Sequence, residues 1–171
     1  MSETLRKNLD RVLEFFLVIL MGAMVINVLW QITTRYLLGD PSSVTEEIAR
    51  FGLIWLGMLG ASYGFGRKVH LSVGLVDEFL DSRIAKDHPL RIGLELVSLG
   101  CVGIFAALIL VVGGSNLVSL SSEFNQASAA LGVPLGAVYS VLPISGAIVL
   151  FYSGLQAIEL SGCWRAWGGE G

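Results

Sequence analysis

Charge is what this chain has least of. Asp, Glu, Lys and Arg make up only 15% of its 171 residues, against 54% hydrophobic residues. A soluble domain carries about 25% charged residues, so that class is excluded. Cysteine is nearly as scarce, at two. Cys101 falls in the middle of an apolar run and Cys163 near the end of another, so no disulfide between them is expected. Neither has the neighbours of a metal site. The two histidines are equally isolated: His70 follows Arg67 and Lys68, and His88 precedes Pro89. There is no Ser-His-Asp constellation, phosphate loop or H-E-x-x-H motif. No metal, cofactor, enzymatic activity or nucleic-acid partner is therefore expected.

What the chain does have is long apolar runs. Four of them, at about 12–38, 48–65, 92–118 and 134–160, can cross a bilayer, which takes roughly 20 helical residues for about 30 Å of hydrocarbon. The expectation is an all-α membrane protein, one four-helix transmembrane domain over 1–171. The first run follows Arg6, Lys7 and Arg11 but is longer than the roughly 7–15 apolar residues of a signal sequence, so it is read as a retained helix. Basic residues favour the cytoplasmic side. They cluster at the N-terminus, in the second connection (Arg67, Lys68, Arg83, Lys86, Arg91) and at Arg165, while the third connection, 119–133, has none. Both termini are thus expected in the cytoplasm.

The connections differ in character. Gly39 to Ser43 reads as a turn, and Ser43 with Glu46 fits a capping box that starts the second helix. In the second connection Leu71, Leu75, Val76, Phe79, Leu80 and Ile84 recur at helical spacing among charged residues. That suits a short amphipathic helix lying in the interface, with a solvated loop as the alternative. The third connection is rich in Ser, Ala, Asn and Gln and is pinned by Pro134; Pro143 should kink the fourth helix.

Several polar or small residues lie where lipid would penalise or ignore them. Asn27, Gln31 and Arg35 form one stripe on the first helix and should face protein, either within the unit or in another subunit. Gly57, Gly60, Ala61 and Gly64 line a small-residue face on the second, suited to close helix packing. Arg35, Glu46, Glu47 and Arg50 are within reach of an ion-pair network that would hold the first hairpin. Glu14 lies beside Arg11 and Glu95 beside Arg91, which favours interfacial ion pairs over a proton relay; Glu159 is likewise terminal. No span carries a central acid, which argues against an autonomous ion-coupled transporter.

These residues also occur in a recognisable order. Trp30-Gln31 with Arg35-Tyr36, Pro41 with Thr45-Glu46-Glu47, Ala49 and Arg50, Trp55-Leu56 with Leu59-Gly60-Ala61, and Arg67 with His70 resemble the small membrane subunit of tripartite ATP-independent periplasmic (TRAP) transporters, the DctQ-like family. The run Ala130 to Gly146, with Pro134, Tyr139 and Pro143, is similar to the start of that family's fourth helix. Two positions depart from the pattern: Val44, where tryptophan is frequent, and Gly74, where an acid is frequent. The resemblance implies a scaffold in the bacterial inner membrane, partnered by a large permease subunit that carries sodium and solute and by a periplasmic binding protein. The solute it implies is an organic acid. Arg67 and His70 would then be polar contacts at the cytoplasmic interface. Two other readings stand beside it: a stand-alone proton-coupled small transporter using Glu14, and a membrane assembly protein without solute flux.

Overall fold

The computed structural model describes residues 2–39, 42–67 and 89–167. The expected amphipathic segment Leu71 to Ile84, with His70 and His88, lies outside them, as do Asp40 and Pro41 of the first turn. The side chains of Arg91, Glu95, Glu159 and Cys163 are also outside the described set.

Apolar composition without helix-breaking runs makes each span a helix, because in lipid every backbone polar group must be satisfied within its own segment. The first helix, α1, runs Ser2–Thr33 and continues as a π-helical turn over Thr34–Leu38. At 32 residues its α-helical part is about 48 Å long at 1.5 Å per residue, so it overreaches the hydrocarbon. Gly39 ends it in the left-handed region at φ 68°, where its amide bonds the Thr34 carbonyl. Helix α2 spans Ser43–Gly66. The third span is one rod made of α3 (Pro89–Phe105), a π-helical stretch over Ala106–Gly113, and α4 (Gly114–Glu123). The fourth is broken: α5 (Leu135–Tyr139) stops at Ser140 and α6 resumes over Val141–Trp167. Four segments are long and apolar enough to cross a membrane: Thr4–Leu38, Ser43–Gly66, Leu96–Glu123 and Leu135–Ile158.

Three local details refine the expectations. The start of α2 carries no capping box: Ser42, not Ser43, is the extended cap residue, and its side chain makes no capping bond. With the cap one residue earlier, the position facing it is Thr45, whose hydroxyl donates to the Ser42 carbonyl at 3.0 Å. The break in the fourth span lies at Ser140, and Pro143 sits in the first turn of α6, where a residue without an N–H is tolerated. Pro134 is the extended cap of α5 and pairs with Ala127 across the third connection.

The helices form an open row. Extensive contacts run from α1 to α2, from α2 to α6, and from α6 to α3 and the π-helical stretch, without a comparable contact between α1 and α3 among the described residues. Partners fix the directions. Asn27 meets Thr45 while Glu14 meets Arg67, so α1 and α2 are antiparallel. Trp55 meets Val138 while Ser62 meets Ser145, so α2 and the fourth span run parallel. Leu13, Leu59, Val141 and Tyr152 form the buried centre, flanked by Leu17, Trp55 and Ile148. Backbones approach closely at particular glycines. A Cβ on Gly146 would lie 2.7 Å from Leu110 Cβ, and one on Gly66 2.6 Å from Tyr152 Cζ.

Candidate functional site: the braced ends of the second helix

Both ends of α2 are held by polar contacts, and they draw on different chemistry. At its start, Glu47 is buried, with 9% of its surface exposed. One carboxylate oxygen accepts three bonds: from Ser128 Oγ at 2.9 Å, the Ala130 amide at 3.0 Å and the Leu131 amide at 2.9 Å. Charge-assisted bonds of this kind are roughly twice as strong as neutral ones. The third connection is shaped to supply them. Its ends are tied by the Leu135 amide on the Gln126 carbonyl and the Ser128 amide on the Val133 carbonyl, both at 2.9 Å, with Gly132 at φ 66° closing the turn. Since 119–133 contains no Lys or Arg, no cation of this connection takes the carboxylate, and two backbone amides and one hydroxyl do so.

The polar stripe on α1 meets the same end from the other side. Asn27 Nδ2 and Gln31 Nε2 both donate to the Thr45 carbonyl, at 2.9 and 2.7 Å. Two stripe residues thus serve packing inside the chain, and Arg35 is exposed. The expected association of Arg35, Glu46, Glu47 and Arg50 takes another form in the isolated chain: Glu47 turns to the third connection, while Glu46 and Arg50 are exposed, and no ion pair joins these four among the described residues. The physical reason is that amides and a hydroxyl replace the hydration a carboxylate loses on burial without immobilising a long cationic side chain.

At the other end of α2 the donors and acceptors are side chains of α1. Arg67 Nη2 lies 3.3 Å from Glu14 Oε2, Tyr63 Oη donates to that same oxygen at 3.3 Å, and the Arg67 guanidinium stands 5.1 Å from the centre of the Tyr63 ring. Glu14 therefore pairs across the helix contact with Arg67 rather than with Arg11 on its own helix. Arg6 Nη2 donates to the Gly66 carbonyl at 2.8 Å, and Tyr152 Oη donates to Asp10. Arg6, Asp10 and Glu14 recur every fourth residue, a periodicity that marks one helix face and was the available signal for this cluster. No comparable signal in sequence links Glu47 to Ser128, 81 residues away.

The Arg67–Glu14 pair is about half exposed on both sides, at 50% and 56%, so screening limits it. Exposed pairs contribute roughly 0.2–1 kcal/mol. Glu14→Gln is accordingly expected to lower unfolding stability by less than about 1 kcal/mol, measured in mixed micelles; a loss several times larger would show that Glu14 is far more than a surface tie.

Among the described residues the small-residue face meets no close neighbour. A Cβ built on Gly57, Gly60 or Gly64 meets nothing within 4 Å, and Ala61 is exposed. The glycines that admit close neighbours are others, among them Gly52, Gly66, Gly114, Gly136 and Gly146. Among the described residues no cluster of His, Cys, Asp and Glu is arranged to hold a metal.

Residues 24–162 match the family described as tripartite ATP-independent periplasmic transporters, DctQ component. The chain is 28% identical over 148 residues to the sialic acid TRAP transporter small permease protein SiaQ of Vibrio cholerae, covering 86% of this chain and 80% of that one. It is 27% identical over 149 residues to a putative TRAP transporter small permease protein of Haemophilus influenzae, covering 87% of each. It is also 28% identical over 102 residues to the C4-dicarboxylate TRAP transporter small permease protein DctQ of V. cholerae, covering 60% of this chain and 41% of that one. Four membrane-length helices in one chain, matching that family over most of their length, place this multi-pass membrane protein in the DctQ family of TRAP transporter small permease subunits.

Proposed function

We propose that this chain is the scaffold subunit of a sodium-coupled organic-acid importer in the bacterial inner membrane. It would work with a large permease subunit that carries the ion and solute sites and with a periplasmic binding protein that delivers the solute. One observation carries the reading: the stretches 15–34, 51–66, 96–122 and 124–158 contain no Asp, Glu, Lys, Arg or His at all. A proton- or ion-coupling site at mid-membrane is commonly built on a carboxylate, a basic side chain or a histidine, and these stretches hold none of these. What they offer is an open row of helices with α2 tied at both ends, a broad stiff surface against which a partner can move. Both named relatives with a stated solute handle carboxylic acids, sialic acid and C4-dicarboxylates, which supports an organic acid here.

The same reading puts both termini, and the Glu14–Arg67 cluster, on the cytoplasmic side. Glu47 and the third connection then lie at the periplasmic side, where a binding protein docks. The test is association. Affinity-tagged chain, expressed with a large TRAP permease subunit from the same organism, should retain that permease through size-exclusion chromatography in mild detergent. Recovery of the chain alone, at matched expression of both, would defeat the proposal.

A further inference from the structure

We infer that the open stripe of α2, formed by Glu46, Arg50, Leu53, Gly57, Ala61 and Gly64, is the surface on which a transmembrane helix of the large permease docks. The inference rests on the functional reading above and adds the face and the chemistry of the contact.

The six positions recur at helical spacing and fall on one face of α2. The flanking faces are already taken: Thr45, Gly52 and Tyr63 meet α1, and Glu47, Ser62 and Phe65 meet the third connection and α6. Among the described residues no neighbour covers the stripe, and its upper part is charged. Arg50 lies seven residues into α2, about 10 Å along the axis from Ser43 at 1.5 Å per residue. Glu46 precedes it by one turn, the spacing and order that best suit an ion pair within a helix. Yet both are exposed, and neither has an ion-pair partner among the described residues. Opposite charges left apart on a membrane-length helix call for complementary charges from outside the chain: a carboxylate at the depth of Arg50 and a donor beside Glu46.

Below the charges the stripe becomes small. Gly57, Gly60 and Gly64 have open space where a side chain would begin, at a cost in helix propensity of up to about 1 kcal/mol each relative to alanine. Helix contact in lipid favours such residues, since they let backbones approach. The exposed face of α1 has the opposite character. Phe15, Val18, Ile19, Val25, Ile26 and Leu29 are large, apolar and at least half exposed, as suits acyl chains. The occupant is therefore a helix with a carboxylate one to two turns below its outer end and a close-packing face beneath it. Simple snorkelling of Arg50 to lipid headgroups is the competing explanation.

Photo-crosslinking in the assembled complex tests this. A benzophenone amino acid placed at Leu53 or Ala61 should crosslink to the large permease, whereas the same group at Ile26 should not. In parallel, Gly57→Leu and Arg50→Glu should each reduce retained permease about tenfold, while Arg50→Lys keeps most of it. Variants are compared only where the chain alone remains monodisperse. Crosslinks to the permease from Ile26 but not from the α2 positions would overturn the inference while leaving the functional reading intact. So would crosslinks from α2 only to lipid, or to a second copy of this chain. Failure of the unmodified chain to retain any permease would defeat the functional reading itself.

Discussion

Glu47→Ala is expected to destabilise the isolated chain by on the order of 3 kcal/mol. The carboxylate oxygen serves Ser128 Oγ and the amides of Ala130 and Leu131. Its removal strands three donors together, at a site where Ser128 is 8% exposed and Glu47 itself 9%. Each buried donor left unmade costs roughly 1–3 kcal/mol, reduced here because the loop can relax toward solvent. Glu47→Gln keeps a carbonyl oxygen but loses the charge, and should fall between the two. Ser128→Ala removes one donor along with its need for a partner, and should cost about 1 kcal/mol. Because both side chains act in one contact, the double substitution Glu47→Ala with Ser128→Ala should cost less than the sum of the two. Reversible unfolding in mixed micelles, followed by far-UV circular dichroism, measures all four. A Glu47→Ala loss below about 0.5 kcal/mol would mean that the third connection holds its shape without the carboxylate.

Gly146→Ala is the second large effect, expected at roughly 1–3 kcal/mol from overpacking. The added Cβ would meet Leu110 Cβ at 2.7 Å, Val111 Cγ2 at 2.9 Å and the Val111 backbone nitrogen at 3.2 Å. A side chain can rotate away, but the backbone of the π-helical stretch cannot without moving α6 off the third span. Gly57→Ala supplies the contrast. Nothing lies within 4 Å of its Cβ, so in the isolated chain the change should be neutral or stabilising by up to about 1 kcal/mol through helix propensity. Equal losses at Gly146 and Gly57 in the same unfolding assay would show that the row is packed differently from the arrangement described above.

The contrast between these glycines marks how far the sequence could be read. The four spans were legible because hydrophobic run length is set by bilayer thickness, a constraint that acts on each segment separately. Spacing along one helix is likewise a property of a single segment: Asn27 and Gln31 share a face, and both donate to the Thr45 carbonyl. What spacing cannot give is which neighbour a face meets. Gly57, Gly60 and Gly64 look like the packing face of α2, yet the close approaches within the chain fall at Gly52 and Gly66 on that helix. Charge pairing depends on neighbours in the same way. Glu14 has Arg11 nearby in sequence, but Arg67 is the partner across the helix contact. Glu47 has Arg50 one turn away, but backbone amides 83 and 84 residues distant take its carboxylate. Amides leave no mark in a sequence, so an anion held by a loop is invisible until the loop's path is known.

The two braces also bear on what the chain contributes to transport. The stretches 15–34, 51–66, 96–122 and 124–158 hold no Asp, Glu, Lys, Arg or His, and polar contacts at both of its ends fix α2. The sharpest test is reconstitution. Liposomes containing the chain alone, the large permease alone, or both are given an inward sodium gradient and binding protein loaded with a labelled carboxylic acid. The account predicts uptake only where both membrane subunits are present, unchanged in the Glu14→Gln variant. Uptake by the chain alone, abolished by Glu14→Gln, would contradict it.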